Sequence, residues 1–174
     1  KNMNKILVNL KKQFLPVTLI IILTWARLIP HPPNFTPIVT VAILSGYFFS
    51  NIYLSFLTLL ISMFIADAFI GFHEHMFSVY ISLLLISFIF YKISEKINFK
   101  NLFICGFIAS LIFFIISNFS VWIIGGLYDR SLSALVECYI LAIPFFGNTF
   151  LSTVIFAYPA IFIYKTLSSQ SVQR

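Results

Sequence analysis

The chain has 174 residues, of which 60% are hydrophobic and only 9% are charged, and its mean hydropathy is +1.02. A soluble domain of this length could not cover so much apolar surface with so few charges. The composition therefore predicts an integral membrane protein and excludes a water-soluble one. The net charge of +6 comes mostly from lysines beside apolar runs, so nucleic acid is not expected as a partner, whereas the lipid bilayer is.

The first twelve residues form a basic segment that we expect on the cytoplasmic side of the membrane. An apolar run follows and ends at Arg27. The next residues read "LIPHPP" instead of a small-residue cleavage site, so the pattern does not predict a cleavable signal peptide.

A stiff, proline-rich stretch, "WARLIPHPPNFTPI", follows the first apolar run. Its interior prolines disfavour helix and favour extended backbone: Pro30, Pro32 and Pro33. We predict a loop that holds His31 and Asn34 over the bundle, close to Arg27, as a lid or wall of a pocket. The alternative is a rigid turn that only separates two helices.

The long uncharged run that follows this loop has about thirty residues with helical character, 37–66, which is too many for one ordinary span. If these residues form a hairpin that turns near Phe48–Tyr53, nine of the eleven Lys and Arg residues lie on one side of the membrane. If they form one span, the split is five against six. Because positive charge accumulates on the cytoplasmic side, the hairpin is favoured.

The predicted fold is therefore an all-α integral membrane bundle of six transmembrane helices with both termini cytoplasmic. The helices are expected at about 13–29, 37–50, 52–67, 76–93, 101–123 and 144–165. Residues 1–174 form a single membrane domain, with a basic N-terminus at 1–12 and a cytoplasmic tail at 166–174. Pro16 and Pro37 are predicted in first turns. Pro144 is predicted to begin the last span, which leaves 131–143 as a separate helix on the outer surface, and Pro159 is predicted to kink that span.

Small residues recur at four-residue spacing within these helices: Ala42/Gly46/Ser50, Cys105/Ala109 and Gly106/Ser110. Such pairs let two helix backbones approach closely. We interpret them as packing sites inside the bundle, with a docking face for a partner protein as the alternative.

In this topology nearly all the remaining polar chemistry lies on the outer face, at the ends of at least four helices. A polar group within or beside an apolar segment is costly unless it is partnered or functional. We predict that the ligand-binding residues are Arg27, His31, Asn34, Asp67, His73, His75, Asn118, Trp122, Tyr128 and Glu137.

Structural alternatives stand beside several of these assignments. Arg27 either snorkels to the interface, pairs with Asp67, or binds ligand. Trp122 and Tyr128 also fit the aromatic belt of a membrane interface.

Metal and enzyme signatures are weak. In "GFHEHM", His73 and His75 would need a third ligand such as Asp67, His31 or Glu137, so no metal is predicted. The two cysteines, Cys105 and Cys138, have no metal or redox spacing and are expected as packed thiols. No catalytic or nucleotide-binding motif is evident, so we expect neither enzymatic activity nor a cofactor. An intramembrane enzyme would instead need turnover that depends on its histidines.

The middle of each predicted helix is Phe, Ile and Leu, whereas an ion channel would carry a line of polar groups through the bundle. This distribution favours a pocket that opens to one side. Many aromatic residues beside few charges suit a small, partly flat organic molecule.

Four blocks carry a resemblance to a known family: "ARLIPHPPNFTPI", "DAFIGFHEHMFSVY", "SNFSVWIIGGLYDRS" and "CYILAIPFFGNT". They resemble the recurrent blocks of an uncharacterised bacterial family of small six-helix membrane proteins. That family is similar to the substrate-binding S components of energy-coupling-factor transporters. The resemblance implies a multi-pass protein of the bacterial cytoplasmic (inner) membrane that captures a vitamin-like molecule from outside.

The same resemblance implies partners, namely a transmembrane coupling subunit and two ATPases. S components typically dock through an A-x-x-x-A pattern on the first helix, which "FLPVTLIIILTWAR" lacks; Ala42 and Gly46 on the second helix are the candidate substitute. The competing hypothesis is a structural or assembly subunit of a larger membrane complex.

Overall fold

In a computed structural model, the backbone is described for residues 2–172 and the side chains for residues 13–168. This part of the chain contains six α-helices and no strand. The helices are α1 (Asn2–Trp25), α2 (Ile38–Phe48), α3 (Ile52–Ile70), α4 (Met76–Lys92), α5 (Leu102–Ile124) and α6 (Leu132–Val172). Short 3₁₀ turns lie at Ala26–Leu28 and Ser94–Lys96.

The predicted turn between the second and third helices is confirmed. The Asn51 side chain caps α3, because its Oδ1 accepts hydrogen bonds from the N–H groups of Tyr53 at 2.8 Å and Leu54 at 3.4 Å. At the other end Gly71 adopts φ 110° and donates its N–H to the Asp67 carbonyl at 2.8 Å. A positive φ at this position suits glycine and ends the helix.

Two of the proline predictions are wrong. Pro16 lies in the interior of α1 because that helix begins at Asn2, and Pro144 lies inside α6 instead of beginning a span. No separate surface helix covers 131–143. A proline removes one helical hydrogen bond, and α6 continues because both sides of Pro144 pack on α5. Tyr139 donates its O–H to the Ile115 carbonyl at 2.7 Å, and the Phe146 ring packs 5.3 Å from that of Phe114.

The short helix α2 forms the centre of the bundle and contacts each of the other five helices. A helix that is apolar on all sides is typically buried on all sides, and nine of its eleven residues are buried. Gly46 permits a close approach to α4, since a Cβ there would clash with the Ser87 carbonyl oxygen and lie 2.8 Å from the Tyr91 nitrogen. Ala42 is fully buried, so the packing interpretation of this small-residue pair is confirmed.

Polar and apolar side chains are distributed as in a membrane bundle. Hydroxyl groups lie inside, as where Ser87 of α4 contacts the Oγ atoms of Ser45 and Ser55 at 2.9 Å each. Large apolar side chains cover the outside, including Phe14, Phe69, Phe77, Leu127 and Leu132, each at least 67% exposed. Small hydroxyl residues at helix contacts and apolar residues toward lipid are typical of membrane proteins.

Three helical stretches are long and apolar enough to cross a membrane: Ile52–Ile70, Leu102–Ile124 and Leu132–Ser168. Three others are apolar but shorter: Gln13–Leu28, Ile38–Phe48 and Met76–Lys92. The helical fold is thus consistent with a membrane protein.

Because α3 to α6 alternate in direction, the loops gather at two ends of the bundle. We call the end formed by residues 26–37, 71–75 and 125–131 the "polar end", and the end formed by residues 49–51 and 93–101 the "lysine end". All ten predicted site residues lie in the polar end or within about two helical turns of it. The lysine end contains Lys96 and Lys100.

Candidate functional site

The proline loop, residues 29–37, is held by a row of side chains on α6. Asn148 Nδ2 donates to the Pro33 carbonyl at 2.9 Å, and Ser152 Oγ donates to the Thr36 carbonyl at 3.0 Å. Between them, Thr149 Oγ1 lies 3.5 Å from the Asn34 carbonyl oxygen. Carbonyls of an irregular segment lack helix or strand partners, so these contacts satisfy groups that would otherwise remain unpaired.

The loop runs from the polar end along the side of α6, and its residues 29–34 are exposed. Asn148 and Ser152 follow Leu132, the first residue of α6, by 16 and 20 positions. At 1.5 Å per residue the loop is therefore fixed roughly 24–30 Å along α6 from its start at the polar end. α5 runs antiparallel beside α6, with Cys138 near Asn118 and Tyr158 bonded to the Phe99 carbonyl. The part of the loop that contacts α6 is thus a floor and wall, and of the two predicted roles, lid or wall, its position fits the wall.

Above this floor is a cavity of about 280 Å³, which we name the amide cavity. Its polar lining comes from Asn34 of the loop, Asn118 of α5, Cys138 of α6 and Tyr128 from the α5–α6 connection. Its apolar lining is Pro33, Val121, Leu141, Ala142 and Phe145. A mostly apolar cleft with a few convergent polar groups is the usual form of a small-molecule site.

The two asparagines keep hydrogen-bonding capacity free. Asn118 donates one N–H to the Phe114 carbonyl of its own helix at 2.8 Å, and its Oδ1 accepts from none of the described residues. The Asn34 side chain likewise bonds to none of the residues with described side chains. Its backbone is left-handed, with φ 60°, a conformation that asparagine tolerates better than most residues. Both amides can therefore donate to and accept from a bound molecule.

Tyr128 separates the amide cavity from a second, more polar cavity of about 290 Å³. The second cavity is lined by Asp129 and Glu137, together with Gly126, Leu127 and Ala134. Desolvation, followed by the nearby Cys138 and Glu137, raises the pKa of Tyr128 above its ordinary value. The phenol is therefore neutral at physiological pH and retains its O–H donor.

Trp122 supports the segment that carries Tyr128. Its Nε1–H donates to the Asp129 carbonyl at 3.1 Å, and Arg130 Nη2 lies 3.5 Å from the Ile123 carbonyl oxygen. Gly126, with φ 66°, lets the chain turn between these contacts. Trp122 thus positions the wall of the cavity and does not line it.

Arg27 and Asp67 form a separate ionic cluster with Met63 and Tyr80. Arg27 Nη2 lies 2.8 Å from Asp67 Oδ1, and the two side chains are only 11% and 1% exposed. Tyr80 donates its O–H to Asp67 Oδ2 at 2.6 Å, and Arg27 Nη1 lies 3.5 Å from Met63 Sδ. The Nη2–Oδ1 contact is a close ion pair whose N–H is not aligned as a hydrogen bond. The interpretation of Arg27 as a partner of Asp67 is confirmed.

The three histidines do not converge. His31 is exposed and its ring contacts backbone oxygens of Pro32 and Arg27 at 2.9 and 3.3 Å. His73 is exposed, whereas His75 Nδ1 lies 3.2 Å from Ser120 Oγ. Within the described residues, no three His, Cys, Asp or Glu side chains lie close enough to hold a metal ion.

The structure thus divides the ten predicted site residues. Asn34, Asn118 and Tyr128 line one cavity, with Glu137 beyond Tyr128, while Arg27 and Asp67 neutralise each other elsewhere. Sequence reasoning missed the roles of Tyr80, Asn148 and Cys138. Each of these is a single polar residue in an apolar helix, so its contacts become visible only when the neighbouring helix is in place.

An apolar groove of about 250 Å³ also runs between α1 and α3, lined by Val17, Ile21, Trp25, Leu57 and Ile61 among others. Its lining offers only hydroxyl groups and the indole N–H of Trp25 as polar partners, and Thr24 already donates to the Ile20 carbonyl at 2.8 Å. A groove on the apolar outside of a membrane bundle suits lipid chains better than a polar solute.

The fold and this site describe an all-helical chain, consistent with a membrane protein, that has a polar cavity between helix ends. The chain belongs to a family of unknown function, DUF6580, whose family model matches residues 8–173. No curated protein and no solved structure matches it.

Proposed function

We propose that the chain is a membrane-embedded subunit that binds a small vitamin-like or heterocyclic molecule for uptake. The observation that supports this most is the amide cavity, in which the Asn34 amide, the free Oδ1 of Asn118 and a neutral phenol face a largely apolar space. In this proposal all six helices cross the bacterial cytoplasmic membrane and both termini are cytoplasmic. The lysine end then faces the cytoplasm, in agreement with the positive-inside rule, and the cavity opens outward.

The floor of the cavity supports capture from one side and argues against a continuous pore. Beyond the proline loop, α2 places Val39, Ile43 and Leu44 at 0% exposure in the centre of the bundle. Thr40 and Ser110 reach Thr153 of α6 through buried hydrogen bonds of 3.1 and 3.3 Å. Release toward the cytoplasm therefore requires a conformational change of the whole bundle, as substrate transfer by a binding subunit would.

A transmembrane coupling subunit and ATPase subunits remain proposed partners. The candidate docking pair, Ala42 and Gly46, is not available for them, because it packs against other helices of this chain. This also removes one of the features behind the competing hypothesis of an assembly subunit. α1 is the helix through which S components typically dock, and it keeps an exposed apolar face that includes Phe14 and Ile22.

The test is ligand capture by purified protein in lipid nanodiscs. The protein is dialysed against a mixture of water-soluble vitamins and nucleobases, and retained compounds are identified by mass spectrometry. We expect at least one retained compound, with retention lost in Asn34→Ala/Asn118→Ala and kept in Ser117→Ala. Ser117 is the matched control, because it bonds only to Phe113 of its own helix, at 2.7 Å.

Two results would contradict the proposal. One is that no compound is retained by the folded wild-type protein. The other is retention that the double variant leaves unchanged, which would move the site away from the amide cavity. Isolation of a stoichiometric partner complex without ATPases, together with no retention, would favour the assembly subunit.

A further inference from the structure

The charges near the amide cavity are all engaged or lie outside it. None of the nine lining side chains carries a formal charge. Arg27 and Asp67 satisfy each other at 2.8 Å within an almost closed cluster. Asp129 and Glu137 are exposed and line the neighbouring cavity on the other side of Tyr128.

A charged ligand in the amide cavity would therefore lack a counter-ion. Removing an ion from water without pairing it costs several kcal/mol, and an apolar wall such as Phe145 with Leu141 cannot compensate for that cost. The carboxylates of Asp129 and Glu137 in the neighbouring cavity disfavour anions further. A cation in the cavity would find no carboxylate among the lining groups.

The free polar groups instead match an uncharged molecule that both donates and accepts hydrogen bonds. Asn34 and Asn118 each offer an amide, which presents a donor and an acceptor on the same carbon atom. Tyr128 adds an O–H group. The cavity of about 280 Å³ lies at the small end of ligand sites, so one ring with a short substituent fits better than a nucleotide.

On this basis we propose that the ligand is an uncharged, single-ring heterocycle with an amide-like edge that pairs with the side chains of Asn34 and Asn118. This inference rests on the proposed function and adds the chemical class of the substrate. It excludes carboxylates, phosphates and quaternary ammonium compounds as the favoured ligand.

The experiment compares single-ring compounds of similar size that are neutral, anionic or cationic. Nicotinamide is neutral, nicotinate is its anionic analogue and 1-methylnicotinamide is a cation; uracil and orotate form a second neutral and anionic pair. Each is titrated calorimetrically into the protein in nanodiscs. We expect a neutral member to bind at least about 100-fold more tightly than its charged analogues, because burying an unpaired charge has a cost of this order.

A second arm changes the charge of the cavity and leaves its shape. Asn118→Asp should lower the affinity for the neutral ligand at least tenfold and raise the affinity for 1-methylnicotinamide relative to nicotinamide. Asn101→Asp, the same substitution at the other end of α5, should leave the order of affinities unchanged. This contrast also separates a local effect from one on folding, since both variants are checked for their unfolding temperature.

The outcomes distinguish the two proposals. If a charged analogue binds as tightly as its neutral partner, or if dialysis retains only charged compounds, the ligand class is wrong while the binding function stands. If neither the dialysis mixture nor any of the five compounds binds, both proposals fail. If Asn118→Asp does not change the charge preference, the assignment of Asn118 fails.

Discussion

The ionic cluster and the amide cavity lie near the same end of the bundle and use their polar groups in opposite ways. In the cluster, Asp67 is 1% exposed and contacts both Arg27 and Tyr80 within 2.8 Å. In the cavity, the Asn34 amide and the Oδ1 of Asn118 have no partner among the residues with described side chains. The polar groups of the cluster are buried and contact each other, whereas the cavity is open and several of its polar groups lack a partner among the described residues.

This difference shows which polar groups are free to act on a solute. Strong charges near the membrane are stabilised by pairing with each other, and once paired they have little to offer a ligand. Neutral amides can remain at a cavity wall at modest cost and exchange water for a ligand. The residues that look most functional in the sequence, Arg27 and Asp67, are thus assigned to structure.

The largest effect is expected from breaking the cluster. Asp67→Ala leaves the Arg27 guanidinium buried without its counter-ion, which should destabilise the fold by about 3–5 kcal/mol. We expect a marked fall in the unfolding temperature measured in nanodiscs. The double variant Arg27→Met/Asp67→Leu should recover most of that loss. Normal stability in Asp67→Ala, combined with lost ligand binding, would instead place the cluster in the binding site.

The next largest effect concerns the floor of the cavity. Asn148→Ala/Ser152→Ala removes the donors to the Pro33 and Thr36 carbonyls, at a cost of about 0.5–1.5 kcal/mol for each hydrogen bond lost. Ligand affinity in calorimetry should fall more than tenfold. Thr18→Ala is the control, because Thr18 bonds only to the Phe14 carbonyl of its own helix, at 2.8 Å. Equal losses in both variants would show that the loop does not depend on these contacts.

A smaller effect is expected from making the floor flexible. Pro32→Gly/Pro33→Gly increases the backbone freedom that the loop must lose when a ligand binds. We expect the free energy of ligand binding to weaken by more kcal/mol than the free energy of unfolding, because α6 still anchors the loop carbonyls. If both quantities fall equally, the prolines serve only to separate α1 from α2.

The smallest effect on ligand affinity is expected from removing one tyrosine hydroxyl, and a second tyrosine serves as the comparison. Tyr128→Phe removes an O–H that faces the cavity and should weaken binding by about 0.5–1.5 kcal/mol, or roughly 2–10-fold. Tyr139→Phe removes the bond to the Ile115 carbonyl, so it should lower the unfolding temperature and leave affinity unchanged. The reverse pattern in the two measurements would contradict the assignment of Tyr128.

Much of this architecture was predictable from the sequence, because hydropathy and lysine placement respond to the membrane directly. The hairpin turn capped by Asn51 is one example. The continuity of α6 was not predictable, since the proline at 144 weakens a helix locally and only packing on α5 shows that the helix persists. The pairing of Arg27 with Asp67 was one of several alternatives, because the two lie forty positions apart and need α3 to be placed beside α1.

The position of the proline loop along α6 was not predictable from the sequence. Proline content predicts an irregular segment and says nothing about its height in the bundle. That height follows from the donors on α6, Asn148 and Ser152, which in the sequence are ordinary polar residues of an apolar helix. The lining residue Cys138 was equally hidden, because a lone thiol has the same pattern in a core and at a cavity wall.

A structure of the protein in nanodiscs with its retained ligand would show where the ligand binds. We expect an uncharged ring between Asn34, Asn118 and Tyr128, with the Arg27–Asp67 contact intact. Ligand bound between Arg27 and Asp67, or in the groove between α1 and α3, would contradict this expectation.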